Sequence, residues 1–412
     1  MRQDRAGTDY ALLALACAAG VALRVWLASR GHNFDMESWT MTADLVAGGQ
    51  NVYANTYRHP YGPTWFMILG ALRSAHDALG MHHLGPESFH IMIAAFLSLA
   101  DVAIALLLYR ALRLGAALFF ILNPVSILIT GYHSQIDTLA ILPALAAWLL
   151  IGRAMSWRRL LISAALLGLS LSIKHVMIFF PIWLLMTPLI LGRVARRIAH
   201  AAVTYGVLVA IVLPFVLAPG AWTGFREYVM SYEGLASNRT LLLHAIDLFA
   251  PPAAVDSLFG IIPQGVSTLY RLFIVLMLLV GYLVARCKPG EMLWCYLLAI
   301  VVLTNSMADQ YLAVPLVACA AYWRRWAAWV YVIPATLLIY WAAAIDAGAL
   351  PAPAPRWHPY VTRLSYPHAQ VWLAILLIGA LSRSRGWGGI LARKDQVRTH
   401  VLDHRRAEAP DA

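Results

Sequence analysis

Uninterrupted apolar runs of about 15 to 22 residues recur along this chain, and they constrain its fold more than any other feature. A membrane-spanning helix needs about 20 mainly apolar residues, and lipid offers the backbone no hydrogen-bond partner, so such runs must be helical. They fall at 10–29, 88–109, 114–132, 136–152, 160–174, 176–192, 198–218, 266–285, 291–305, 309–323, 326–346 and 367–382. The pattern predicts an all-α polytopic integral membrane protein with about twelve transmembrane helices. Composition agrees: 61% of the 412 residues are hydrophobic, 12% are charged and the mean hydropathy is +0.68, against about 45–50% apolar residues in a soluble domain.

Basic residues set the orientation, because loops rich in Lys and Arg stay cytoplasmic. With Arg2 and Arg5 inside, alternate loops hold Arg110 and Arg113; Arg153, Arg158 and Arg159; Arg193, Arg196 and Arg197; Arg286 and Lys288; and Arg324 and Arg325. The tail adds seven more, from Arg383 to Arg406, so 21 of the 31 Lys and Arg residues fall on the cytoplasmic side. The net charge of +11 is thus a topogenic signal and implies no nucleic-acid partner. The first run is long for a signal-peptide core and reads as a retained span. Cys17, Cys287, Cys295 and Cys319 lie in spans or cytoplasmic loops, without disulfide or metal-ligand spacing.

The outer segments 30–87, 219–265 and 347–366 hold nearly all of the remaining chain. Connections this long are functional or disordered, and the aromatics Trp39, Tyr53, Tyr57, Tyr61, Trp65 and Phe66 argue for order in the first. Within it, "YGPTWFMILGAL" (61–72) is apolar but too short to cross. It reads as an interfacial or re-entrant helix with Pro63 in its first turn.

Four segments bring polar groups to the outer surface. "NFDMESW" supplies Asp35 and Glu37 just past the first span, where partial burial tunes a carboxylate into a general base. "GYHSQIDTL" supplies His133, Gln135 and Asp137; a helix beginning near Ser134 would set His133 and Asp137 on one face, or else Ser134 or His133 caps that helix. "SIKHVMIFFP" supplies Lys174 and His175, adjacent cations at an outer surface, which suit an anionic ligand unless Lys174 merely snorkels. "NSMADQYLAVP" supplies Asp309, Gln310 and Tyr311. Asp101, about 20 Å along its span by helical rise, reads as a buried packing residue. The histidines of the outer side show no fixed ligand spacing, so no metal or cofactor is predicted, although a divalent ion stays open.

A carboxylate facing cations at headgroup depth fits one chemistry. The chain has no GxGxxG motif or P-loop for a nucleotide sugar, but a lipid-linked phosphate arrives laterally, and cations stabilise it as it leaves. One base to deprotonate the acceptor hydroxyl suffices, and direct displacement inverts the sugar carbon. "DMESW", "YGPT", "HSQID", "SIKHVMIFFP" and "DQYLAVP" resemble the GT-C superfamily of polyprenyl-phosphate-dependent glycosyltransferases. The first 190 or so residues are similar to the dolichyl-phosphate-glucose glucosyltransferases, with Asp35/Glu37, Tyr61-Gly62-Pro63, His133 to Asp137 and Ile173 to Met177 in order. Gln310 and Tyr311 match a mannosyltransferase signature. Gly62 and Asp137 depart from the family's Pro and Asn, and the tryptophan after the acid pair lies nearer.

The resemblance implies Asp35 as general base, with Glu37 beside it in the catalytic pair. His133, Lys174 and His175 would face the donor phosphate, and Tyr61, Gln135, Asp137, Gln310 and Tyr311 would bind substrate. It implies a GT-C catalytic module over 1–218, a variable transmembrane module over 219–385 and a basic cytoplasmic tail over 386–412. The expected partners are a polyprenyl-phosphate sugar donor, a glycan or lipid-linked acceptor, and membrane lipid. The expected setting is a bacterial inner membrane, with the endoplasmic reticulum as the alternative. The rival reading is a transporter or lipid flippase, which places its polar residues at mid-membrane.

Overall fold

The computed structural model describes residues 2–152, 155–231, 240–242, 244–245, 268–346 and 358–382. Most of the second outer segment, residues 347–357 of the third, and the basic tail lie outside the described residues. Among the described residues every regular element is helical.

Among the described residues four helices are long and apolar enough to cross a membrane: Gly7–Ala28 within α1 (Arg2–Ala28), α5 (Ser88–Ala111), α12 (Val194–Val216), and Tyr270–Cys287 within α14 (Thr268–Cys287). A fifth arises if α6 (Leu114–Ile121) and α7 (Pro124–Gly131) form one span bent by 46°. The break follows from "LNP": Pro124 has no N–H to give to a preceding turn and pushes Asn123 out of the helical region. Asn123 is accordingly extended and caps the new helix by accepting from the Val125 amide at 3.0 Å. Apolar side chains cover outward faces: Leu15 on α1, Ile198, Val209 and Leu213 on α12, and Val275 and Leu279 on α14 are all exposed, a surface suited to lipid.

The remaining apolar runs form helices with shorter apolar stretches: α8 (Asp137–Leu150), α9 (Trp157–Ile173), α15 (Met292–Leu303), α16 (Leu316–Ala321), Trp326–Trp341 within α17 (Trp326–Asp346) and Tyr366–Ser382 within α18 (His358–Ser382). The run at 176–192 is broken into α10 (Phe180–Leu185) and α11 (Pro188–Leu191), each opened by a proline. Helix α9 packs between α8 and α12, and α1 packs on α5 and α7.

The first outer segment is helical. α2 (Asp35–Ala47) packs on α4 (Pro63–Ala78), with a short α3 (Val52–Asn55) between them. Pro63 occupies the first turn of α4, where its missing N–H costs nothing. Five of the six aromatics that argued for order form the core here: Trp39, Tyr61 and Trp65 pack with Ile93, Ile136 and Ile173, while Tyr53 and Phe66 pack with Val216 and Ala221; Tyr57 is exposed instead. This core sets α2 against Ile136, the start of α8 and the end of α9, where the polar residues gather.

Candidate functional site

Asp35 is the first residue of α2. Its Oδ2 accepts from Asn33 Nδ2 at 2.9 Å and from Gln135 Nε2 at 2.5 Å. Asn33 Nδ2 also stands 2.8 Å from His133 Nδ1. An amide nitrogen only donates, so His133 Nδ1 must be the acceptor and the imidazole proton must sit on Nε2. Burial holds the His133 imidazole down at about pKa 4, so it stays neutral near pH 7. Among the described residues its buried Nε2 meets no hydrogen-bond partner, and neither do Ser134 Oγ, Gln135 Oε1 and Thr138 Oγ1. Unmade bonds of this kind are expensive unless a ligand or water completes them.

The turn that carries His133 begins where α7 ends. The amides of Tyr132 and His133 both return to the Leu128 carbonyl, and that of Gln135 returns to Ile129. Ser134 takes a left-handed φ of 46°, uncommon for a residue with a side chain and typical of functional turns. α8 starts at Asp137, not near Ser134, and neither Ser134 nor His133 caps it: Ile136 is the cap residue and makes no side-chain bond. His133 and Asp137 therefore do not share one helical face: His133 meets Asn33, and Asp137 meets Lys174.

Lys174 follows α9 with extended backbone, φ −151° and ψ 137°. It is 2% exposed, and its Nζ lies 2.8 Å from each oxygen of the fully buried Asp137, with the directed hydrogen bond on Oδ2. The Tyr61 ring at 5.1 Å and the Tyr311 ring at 5.3 Å enclose the ammonium. Lys174 is thus held inside the protein rather than reaching for the headgroups. Its position comes from a close seam: Gly62 donates to the Ile173 carbonyl at 3.3 Å, and the Thr64 and Ser172 hydroxyls meet at 2.7 Å.

The structure brings Asp35, His133 and Gln135 together through Asn33, and Lys174, Asp137, Tyr61 and Tyr311 into a second cluster. The Lys174 charge acts on Asp35, so the clusters adjoin. His175 is exposed at the start of a 3-10 turn, His175–Met177, and Gln310 is half-buried in the turn Asp309–Ala313. Glu37 stands apart. Its carboxylate is 57% exposed and 3.2 Å from Arg58 Nη2. Burial pushes the Asp35 carboxyl above the ordinary carboxylate range, against the opposing pull of Asn33, Lys174 and Arg58.

Sequence reasoning passed over Asn33 and Arg58. Asn33 is legible in retrospect as an amide two residues before a carboxylate, a common local partner. Arg58 gives no local signal: it bonds Ser38 Oγ at 3.0 Å, lies 4.0 Å from the Phe34 ring and fixes the first turn of α2 from 20 residues away.

A groove of about 660 Å³, lined by Glu37, Thr40, Asp44 and Gln50, opens elsewhere. Asp44 is nine residues from Asp35, two and a half turns, so this groove lies on the opposite face of α2 from Asp35. Among the described residues no group of three or more His, Cys, Asp or Glu side chains is arranged to hold a metal ion. No protein family, curated protein or solved structure matches this chain.

Proposed function

We propose that the chain is an integral-membrane glycosyltransferase of GT-C type, with about twelve crossings. It moves one hexose, mannose or glucose, from a polyprenyl-phosphate carrier to a glycan or lipid-linked acceptor on the extracytoplasmic face of a bacterial inner membrane. The observation that carries this reading is the pairing of opposites at one outer site: a carboxylate with raised proton affinity beside an enclosed lysine and a neutral imidazole whose N–H is unmatched.

Both bonds to Asp35 fall on Oδ2, which leaves Oδ1 to take the acceptor's proton. The acceptor oxygen then attacks the sugar carbon from the face opposite the phosphate. The carbon–oxygen bond to phosphate breaks with its electron pair on the leaving oxygen, and the configuration inverts. His133 Nε2–H and Lys174 stabilise the phosphate as its charge grows. Tyr61 and Tyr311 shield the lysine from water and raise its electrostatic effect.

The transporter or flippase reading is the weaker one. It needs exchangeable polar groups on broken helices at mid-membrane. The charged pair beside the broken span, Arg24 and Asp101, is fully buried and bonded within the protein. The test is to incubate the purified protein with labelled polyprenyl-phosphate mannose and glucose and candidate acceptors. Transfer of one label to an acceptor supports the proposal, and its absence with every pair contradicts it.

A further inference from the structure

Arg24 and Asp101 form an ion pair with no exposed surface, Nε to Oδ2 at 2.9 Å. Arg24 ties its own helix to the broken span: Nη1 bonds the Ile121 carbonyl at 3.0 Å, where α6 ends, and the Gly20 carbonyl of α1 at 2.9 Å, while Nη2 bonds Ser126 Oγ on α7 at 2.7 Å. The Asp101 oxygen that takes Arg24 also accepts from Thr130 Oγ1 at 2.8 Å. Thr130 is the penultimate residue of α7, three before His133. Gly131 backs directly onto Arg24: a Cβ there would lie 2.8 Å from the Arg24 carbonyl oxygen.

Charges inside a membrane protein are expensive, and a buried ion pair is a poor source of stability compared with apolar packing of the same volume. What this pair supplies is direction. It joins α1, α5, the end of α6 and both ends of α7, so it fixes the bend. In the turn at 132–136 the amides of Tyr132, His133 and Gln135 are bonded back to Leu128 and Ile129, so it moves with α7.

We propose that Arg24 and Asp101 are positioning residues that act through Thr130 to set the 132–136 turn, and with it His133 and Gln135, against Asp35. As a statement about catalysis this rests on the glycosyltransferase reading; as a statement about the turn it does not.

Thr130→Val removes the hydroxyl tie while keeping the side-chain shape, and Thr130→Ser restores the hydroxyl. In the full-length protein, amide hydrogen exchange at 132–136 is expected to accelerate in Thr130→Val, with α1 and α5 as protected as in wild type, and to return to the wild-type rate in Thr130→Ser. Sugar transfer is read on the same samples. Loss of one well-formed hydrogen bond predicts about a fivefold fall in kcat/KM for Thr130→Val. The acid limb of its pH profile should move upward, because Gln135 no longer holds the ionised Asp35 as tightly. Lys174, Arg58, Asp137 and the neutral His133, the other groups facing Asp35, keep their places. Wild-type exchange at 132–136 in Thr130→Val, or equal disturbance in Thr130→Ser, overturns the inference. If wild type transfers no sugar while the exchange result holds, the glycosyltransferase reading fails and the positioning role of the pair stands.

Discussion

Lys174 stands 2.8 Å from both oxygens of Asp137 and directs its hydrogen bond to Oδ2. An asparagine at 137 would leave that charge unbalanced. Removing one partner of a buried pair costs about 3–5 kcal/mol, and an arriving phosphate would recover part of it. Asp137→Asn is therefore expected to unfold at lower temperature than wild type when empty, and to gain more from added polyprenyl phosphate. Thermal unfolding of both proteins with and without the lipid checks this; equal gains would separate Lys174 from the phosphate.

Asp35 gives a sign that can be worked out. Its carboxyl has a higher proton affinity in the folded state than in the unfolded chain. The folded state thus binds more protons, and the group's stabilising contribution is fully present below the unfolded value. It disappears as pH rises through the folded value. Asp35→Asn, which cannot ionise, should be at least as heat-stable as wild type at pH 8 and lose that advantage near pH 4. Sugar transfer should fall about 10²–10⁴-fold, the usual worth of a general base. Unfolding scans at the two pH values and a transfer assay check both limbs.

The apolar runs made the helical membrane character legible, since lipid permits only that solution, but 114–132 and 176–192 read as single spans although Pro124 and Pro188 open new helices inside them. The first segment's aromatics announced its core. Asp35, His133, Gln135, Lys174 and Tyr311 could be picked out because polar groups at outer ends of apolar runs are conspicuous. Their pairing could not. The placement of Lys174 against Asp137 depends on Ser134 taking a left-handed φ and on α8 starting at 137, backbone choices with no local signature in "HSQID". Arg24 was hidden for a similar reason: a single arginine near the end of a span reads as a snorkelling residue until Asp101 and the Ile121 carbonyl are seen around it.

Gly62 sits where the backbone of Ser172 leaves no room for a side chain. A Cβ at this position would lie 1.9 Å from the Ser172 carbonyl oxygen and 2.5 Å from its carbon, both backbone atoms that cannot swing aside. Any side chain must part the seam that sets Lys174. Gly62→Ala should destabilise the protein by about 1–3 kcal/mol, the usual cost of overpacking, and reduce donor use. Gly48→Ala, whose Cβ meets nothing closer than 3.3 Å, is the control. Thermal unfolding in the same detergent compares them.

Glu37 separates the two acids of "DMES". Its side chain is largely exposed, its partner Arg58 is also bonded to Ser38 Oγ, and it borders the groove on the face of α2 away from Asp35. An exposed ion pair contributes little, and Arg58 keeps its contact with the Phe34 ring without it. Glu37→Gln should therefore leave sugar transfer within about twofold of wild type, the range of an ordinary surface substitution. Arg58→Ala should do more, because it loosens the first turn of α2 and removes a positive charge that favours ionised Asp35. The acid limb of its pH profile should move upward while that of Glu37→Gln stays in place. A loss in Glu37→Gln as deep as in Asp35→Asn would make both carboxylates part of the chemistry.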